Sequence, residues 1–178
     1  MRAVNPQFEA MTLPQLGGLY QTALRLVMDR RSAEAAVSEA CARASKAFKV
    51  EMDEQEWRVE LFRQLIGSIR RRASGVRRIA QPVSEGEPCG GAVARALTRL
   101  PLGYREPILL VDCQGFRYSE AGRILGLSVS GLTDLLSEAR DLLHQQMAQG
   151  ETGDVVMASA PDFFRLEASG PRGSVQSE

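Results

Sequence analysis

The chain has 178 residues, enough for one medium core or two small ones, and is 44% hydrophobic and 25% charged. That composition excludes the disordered and fibrous classes, and no apolar run approaches the roughly 18–20 residues that span a bilayer. The N-terminus lacks a signal-peptide layout, so a cytoplasmic location without membrane insertion is expected. Three cysteines (Cys41, Cys89, Cys113) and the lone His144 offer neither a disulfide framework nor a metal-ligand spacing. The formal net charge of zero is unevenly spread. Residues 1–79 carry 14 basic against 9 acidic groups, 80–147 carry 6 against 8, and 148–178 carry 2 against 5. A polyanion contact is therefore expected in the first half.

In chain order, Leu16, Leu19, Tyr20, Ala23, Leu24 and Val27 form one apolar helical face. Ala33, Ala36, Val37, Ala40, Cys41, Ala44 and Phe48 repeat the spacing, with Ser32 placed as N-cap. Trp57, Leu61, Leu65, Ile66 and Ile69 mark a third helix running into Arg70, Arg71 and Arg72, with Trp57 read as a core anchor rather than a base-stacking platform. Residues 74–91 are rich in Gly, Ser and Pro and read as a flexible linker. Ala92, Val93, Ala96, Leu97 and Leu100 open a second helical block that Pro101 stops. The next helix holds Tyr104, Ile108 and Val111, with Pro107 in its first turn and Cys113 on its core face, and Gly115 ends it. The residues Tyr118–Leu125, then Gly126-Leu127-Ser128, then Val129–Leu143 have the layout of a helix-turn-helix, with Gly126 as C-terminal stop and Ser128 as cap. That pattern alone also fits an ordinary helical hairpin. No segment alternates with period two, so the expected fold is all-α: two small helical domains (1–73 and 92–147), the linker between them, and a tail from 148. Phe163, Phe164 and Leu166 interrupt the polar tail as a possible docking peptide.

The motifs Leu100-Pro101, Arg105-Glu106, Gly115, Tyr118-Ser119-Glu120, Leu125-Gly126-Leu127-Ser128 and Ala139-Arg140 resemble the C-terminal domain of bacterial RNA polymerase sigma factors of the small extracytoplasmic-function type. Leu19-Tyr20, Ala23-Leu24, Asp29, Ala33-Glu34, Val37, Glu39 and Leu61-Phe62-Arg63 are similar to that family's N-terminal domain. The resemblance implies a non-enzymatic subunit, without cofactor or metal, that binds core RNA polymerase and directs it to promoter DNA. It places polymerase binding at Glu34, Val37 and Glu39. Promoter contact falls at Arg70, Arg71 and Arg72, joined by Arg77 and Arg78, and in the helix-turn-helix at Arg117, Tyr118, Ser128, Ser130, Thr133 and Arg140.

The sequence departs from the family at Ser32 and Ala35 in the docking helix, and at Glu60 and Ile66-Gly67 in the third helix. In the recognition helix Thr133, Leu135 and Glu138 replace basic residues, leaving Asp134, Glu138 and Asp141 against Arg140 on the outer face. Carboxylates beside phosphates weaken binding, and Leu135 with Leu142 widens the apolar stripe, so part of it is expected to stay exposed as a protein contact. Gly122 is expected to weaken its helix by about 1 kcal/mol. These departures support an alternative: a sigma-like regulator that binds a protein partner, an anti-sigma factor or the polymerase, with reduced promoter reading. There is no Gly-rich phosphate loop, the lone His144 supports no Ser/His/Asp arrangement, and no paired carboxylates sit in an expected cleft, so no enzymatic function is expected.

Overall fold

A computed structural model of the chain describes residues 6–75 and 92–149. Its helices are α1 (Pro6–Thr12), α2 (Leu16–Val27), α3 (Arg30–Ala47), α4 (Glu54–Gly75), α5 (Ala92–Arg99), α6 (Leu102–Ile108), α7 (Tyr118–Leu125) and α8 (Val129–Gln149). A 3-10 turn, Leu13–Gln15, joins α1 to α2, and a π-helical turn, Leu109–Cys113, prolongs α6. The all-α expectation holds: no strand occurs among the described residues. Most of the expected linker, together with Arg77, Arg78 and Cys89, lies outside them, as does the tail from residue 150 with Phe163, Phe164 and Leu166.

In the N-terminal half, α3 begins where Asp29 stays extended and its carboxylate accepts the Ser32 amide at 2.7 Å. The cap is therefore Asp29, and Ser32 lies inside the first turn. The short apolar side chains Ala33, Ala36, Ala40 and Ala44 are fully buried, which lets α2 and α4 approach α3 closely. Helix α1, absent from the sequence reading, exists because Phe8 closes an aromatic cluster. Its ring meets Phe48 at 5.7 Å and Trp57 at 5.4 Å, edge to face. Trp57 has no exposed surface and donates its indole N–H to Thr12 at 3.2 Å, so it is the expected core anchor.

In the C-terminal half, α8 is the spine against which α5, α6 and α7 pack. Helix α6 starts at Leu102, so Pro107 falls beyond its first turn rather than within it. The chain then widens: the Gln114 amide reaches back to Leu109 and that of Phe116 to Leu110. A π turn shifts the phase of the buried face. Cys113 is consequently exposed, not core. Val93 is exposed as well. Gly126 stops α7 at φ 76°, and Ser128 caps α8 by accepting the Gly131 amide at 3.1 Å, both as expected.

Two expectations about the helix-turn-helix fail. Leu135 is only 5% exposed and Leu142 packs partly against the core, because α5 and α6 together cover the wide stripe of α8. Gly122 is a fitted residue rather than a weak one. A Cβ there would lie 2.8 Å from the Leu127 carbonyl, where the turn folds back on α7 and the Leu127 amide bonds Gly122 O at 2.9 Å.

The halves meet along α4, which packs on α2 and α3 with one side and on α7 with another. Apolar residues therefore appear all round it: Trp57, Val59, Leu61, Phe62, Leu65, Ile66 and Ile69 are buried, beyond the one face that the sequence spacing marks.

Candidate nucleic-acid interface

The seam between the halves joins the second apolar side of α4, packed on α7, to a set of directed polar contacts. At one end, the Arg70 guanidinium grips Glu106 bidentately, Nη2 to Oε2 at 2.7 Å and Nε to Oε1 at 3.1 Å. A third bond from Arg70 runs to the Leu125 carbonyl at the end of α7, at 3.2 Å. The Glu106 side chain is 1% exposed, and burial pushes its carboxyl up while Arg70 and Arg105 pull it back down. Beside it, buried Arg105 donates to the Leu26 carbonyl at 3.1 Å and the Arg25 carbonyl at 3.4 Å. These are last-turn carbonyls of α2, where a cation also meets the negative end of the helix dipole.

Further along, Arg58 donates to the Gln114 carbonyl and lies over the Phe116 ring at 4.2 Å. Phe116 in turn packs edge-on against Phe62 at 4.9 Å. Gln114 donates to the Thr22 hydroxyl at 3.0 Å and comes so close to α2 that a Cβ at Gly18 would lie 3.0 Å from its Oε1. Gln55 and Glu120 close the far end at 3.0 Å.

The arginines that follow Arg70 are held from the other side. Arg71 and Arg72 each bond a different oxygen of Glu39 at 3.2 Å, and Arg43 takes Oε1 at 3.0 Å. Partial burial opposes ionisation of Glu39, but the bonds from Arg71, Arg43 and Arg72 win and hold its carboxyl below the usual range. Glu34 is exposed and Val37 half-buried on α3. Glu39 sits five residues beyond Glu34, about 140° round the helix, and turns to α4. The structure thus does not bring the three docking positions onto one open face; it joins Glu39 to Arg71 and Arg72 instead.

In the C-terminal half, Arg117, Tyr118, Ser130 and Thr133 are exposed. Thr133 returns its hydroxyl to the Val129 carbonyl at 2.8 Å. Arg140 pairs with Asp112, Nε to Oδ2 at 3.1 Å. Glu138 accepts the Tyr104 hydroxyl at 2.9 Å; burial and this bond push the Tyr104 pKa up to about 12. Exposed Asp134 and Asp141 keep the outer face of α8 acidic.

The seam residues Arg58, Phe62, Arg105, Glu106 and Gln114 escaped the sequence reading as a functional group. Their only signal is a charged pair, Arg105-Glu106, between apolar residues of a helix, and such a pair names no partner 36 positions away. Among the described residues no cluster of His, Cys, Asp or Glu forms a metal site, and no helix is long and apolar enough to cross a membrane.

Residues 90–143 match the family model for Sigma-70, region 4. No curated protein matches the chain. Among solved structures, a chain of the co-crystal of the sigma factor RpoE with the anti-sigma factor NepR from Bartonella quintana aligns with a TM-score of 0.60 and 22% identity, over 81% of this chain and 98% of that one. A chain of the complex of CnrH with the cytosolic domain of CnrY aligns with a TM-score of 0.60 and 23% identity, over 81% and 90%. A chain of the PhyRSL–NepR complex from Sphingomonas sp. Fr1 aligns with a TM-score of 0.62 and 24% identity, over 86% and 96%. At these identities the likeness is one of fold. Residues 90–143 thus match a sigma-70 region 4 domain, and the described chain shares the fold of the sigma factor RpoE and of the other chains it aligns with.

Proposed function

We propose that the chain is a sigma factor that binds core RNA polymerase and directs promoter-specific initiation, acting as a binding subunit and not as a catalyst. The observation that carries this reading is the region 4 match over 90–143 set on a sigma fold whose long α4 carries Arg70, Arg71 and Arg72 near its C-terminal end. In this reading the two halves are domains joined through 74–91. Glu34, Val37 and Glu39 on α3 meet the polymerase, and the α4 arginines neutralise promoter phosphates. Arg117, Tyr118, Ser128, Ser130, Thr133 and Arg140 supply the second promoter contact. The test is transcription in vitro by core polymerase on genomic promoter fragments: the protein should produce initiation at defined start sites, and its absence should abolish it. Initiation that is the same with and without the protein would overturn the reading.

One observation favours a second reading, a sigma-like regulator that binds a protein partner. The outer face of α8 offers Asp134 and Asp141, with Glu138 and Arg140 both engaged inside the domain. One fold neighbour is the anti-anti-sigma factor PhyR complexed with the anti-sigma factor NepR (TM-score 0.55, 18% identity). Binding of an anti-sigma factor by a chain that fails to initiate transcription would select this alternative.

A further inference from the structure

A cleft of about 250 Å³ opens on the surface where the C-terminal part of α4 faces the end of α7. Arg63, Gly67 and Arg71 form one i, i+4, i+8 row on the α4 wall, and Arg123 and Gly126 stand on the α7 wall. Gly67 interrupts the row, so the two α4 arginines flank a notch. A Cβ at Gly67 would lie 3.1 Å from Arg71 Nη1, so the Arg71 guanidinium leans into that notch. Each of the two is fixed from behind. Glu60 accepts Nε and Nη2 of Arg63, both at 2.8 Å. Arg71 gives Nη2 to Glu39 at 3.2 Å and to the Ser68 hydroxyl at 3.0 Å. The Nη1 donors of both arginines are left for a ligand. Exposed Arg123 makes no hydrogen bond or ion pair among the described residues, so all its N–H groups are unspent. Arg70 also borders the cleft, but Glu106 and the Leu125 carbonyl hold it.

The lining holds no carboxylate and no aromatic ring. Its apolar members, Ile66, Ile124 and Leu125, are at most 4% exposed. Such a surface gives a nucleobase nothing to stack on, but it gives an oxyanion charge-assisted donors, already oriented, from two walls. The donors are spread along the cleft instead of converging on one point, which suits two linked phosphates better than one. We propose that this cleft is a binding site for a small anion bearing a diphosphate, with Arg63, Arg71 and Arg123 as its contacts. Inorganic pyrophosphate and the phosphate tail of a nucleotide share that chemistry. The site goes beyond the promoter reading: of its contacts only Arg71 is also assigned there.

The test is calorimetric titration of the full chain with sodium pyrophosphate at about 0.15 M salt, where exposed charges are screened. It uses no polymerase and no promoter, so its failure is separate from that of the transcription assay. Saturable one-to-one binding is expected, with an unfolding temperature that rises with pyrophosphate concentration. Arg123→Ala removes an exposed, unpartnered side chain and should weaken binding about tenfold, the loss of one charged contact. Gly67→Leu fills the notch without changing any charge and should also weaken binding. Arg99→Ala, at an exposed arginine of α5 outside the cleft, should change nothing. A titration with ATP separates the two sources. Tighter binding of ATP identifies a nucleotide as the ligand, and equal or weaker binding the inorganic anion. No saturable binding, an affinity that survives both cleft variants, or an equal loss in Arg99→Ala would each overturn the site. So would a single-stranded oligonucleotide that binds through Arg123 while pyrophosphate does not bind, because the cleft would then be part of the nucleic-acid path.

Discussion

The interior of each half and the seam between them are held by different physics. Within the N-terminal half, Trp57, Leu61, Leu65 and the alanines of α3 bury apolar surface, and within the C-terminal half Leu132, Leu136 and Ala139 do the same. Such burial is non-directional, contributes about 1.5–3 kcal/mol per large side chain, and has no competitor in water. The seam also buries apolar surface, Phe62 on Phe116 among it, but adds a set of hydrogen bonds and a buried ion pair that neither interior has. Buried pairs return little net stability, because desolvation cancels much of the attraction, yet breaking one partner is costly. A contact of that kind specifies one arrangement more than it stabilises it. One donor in the seam, Arg105 Nε, is buried without a hydrogen-bond partner among the described residues, so the polar contacts of the seam are less than fully satisfied.

The largest expected effect comes from striking one interior. Trp57→Ala empties the aromatic cluster with Phe8 and Phe48 and should cost about 3–5 kcal/mol. Hydrogen exchange should show protection lost in α1–α4 and largely kept in α5–α8; equal loss in both would show that the halves are one cooperative unit and would break the comparison. Next, Gly122→Ala places a Cβ 2.8 Å from the Leu127 carbonyl. It should destabilise α7–α8 by about 1–3 kcal/mol, whereas a gain of about 1 kcal/mol from helix propensity in a denaturant titration would mean that the turn yields easily.

A smaller effect is expected for Ser128→Ala, which removes the acceptor of the Gly131 amide and should cost about 1 kcal/mol. The slow-exchanging amides of the first turn of α8 report it, and no change would show that water caps the turn equally well. The smallest concerns Tyr104. Its folded pKa of about 12 stands above the ordinary tyrosine value of about 10, so the folded state retains a proton that the unfolded chain releases. Its contribution is full below pH about 10 and is lost as pH rises toward about 12. Wild type should therefore lose its advantage over Tyr104→Phe across that window, and parallel stability curves would contradict the bond to Glu138.

Much of this was legible from spacing. The apolar repeats of α2, α3 and α8, the Gly126 stop and the Ser128 cap follow from local geometry, and each motif of the region 4 resemblance lies within a few residues. What escaped depends on distant partners. Helix α1 exists because Phe8 meets Trp57, 49 positions on. The second buried side of α4 needs the C-terminal half as its cover. Cys113 left the core because a π turn shifted the phase, which helical spacing cannot register. The candidate site divides the same way: Arg70, Arg71 and Arg72 stand out as a charge run, but nothing local shows that Glu106 and Glu39 already hold them.

In the proposed function these three arginines are the nucleic-acid contact of the chain. The most direct measurement is the salt dependence of oligonucleotide binding by the full chain, with and without replacement of Arg70, Arg71 and Arg72 by alanine. Three lost phosphate contacts should reduce the slope of log affinity against log salt by about 2 for a single strand and lower the affinity throughout. An unchanged slope would place the contact elsewhere and contradict the claim.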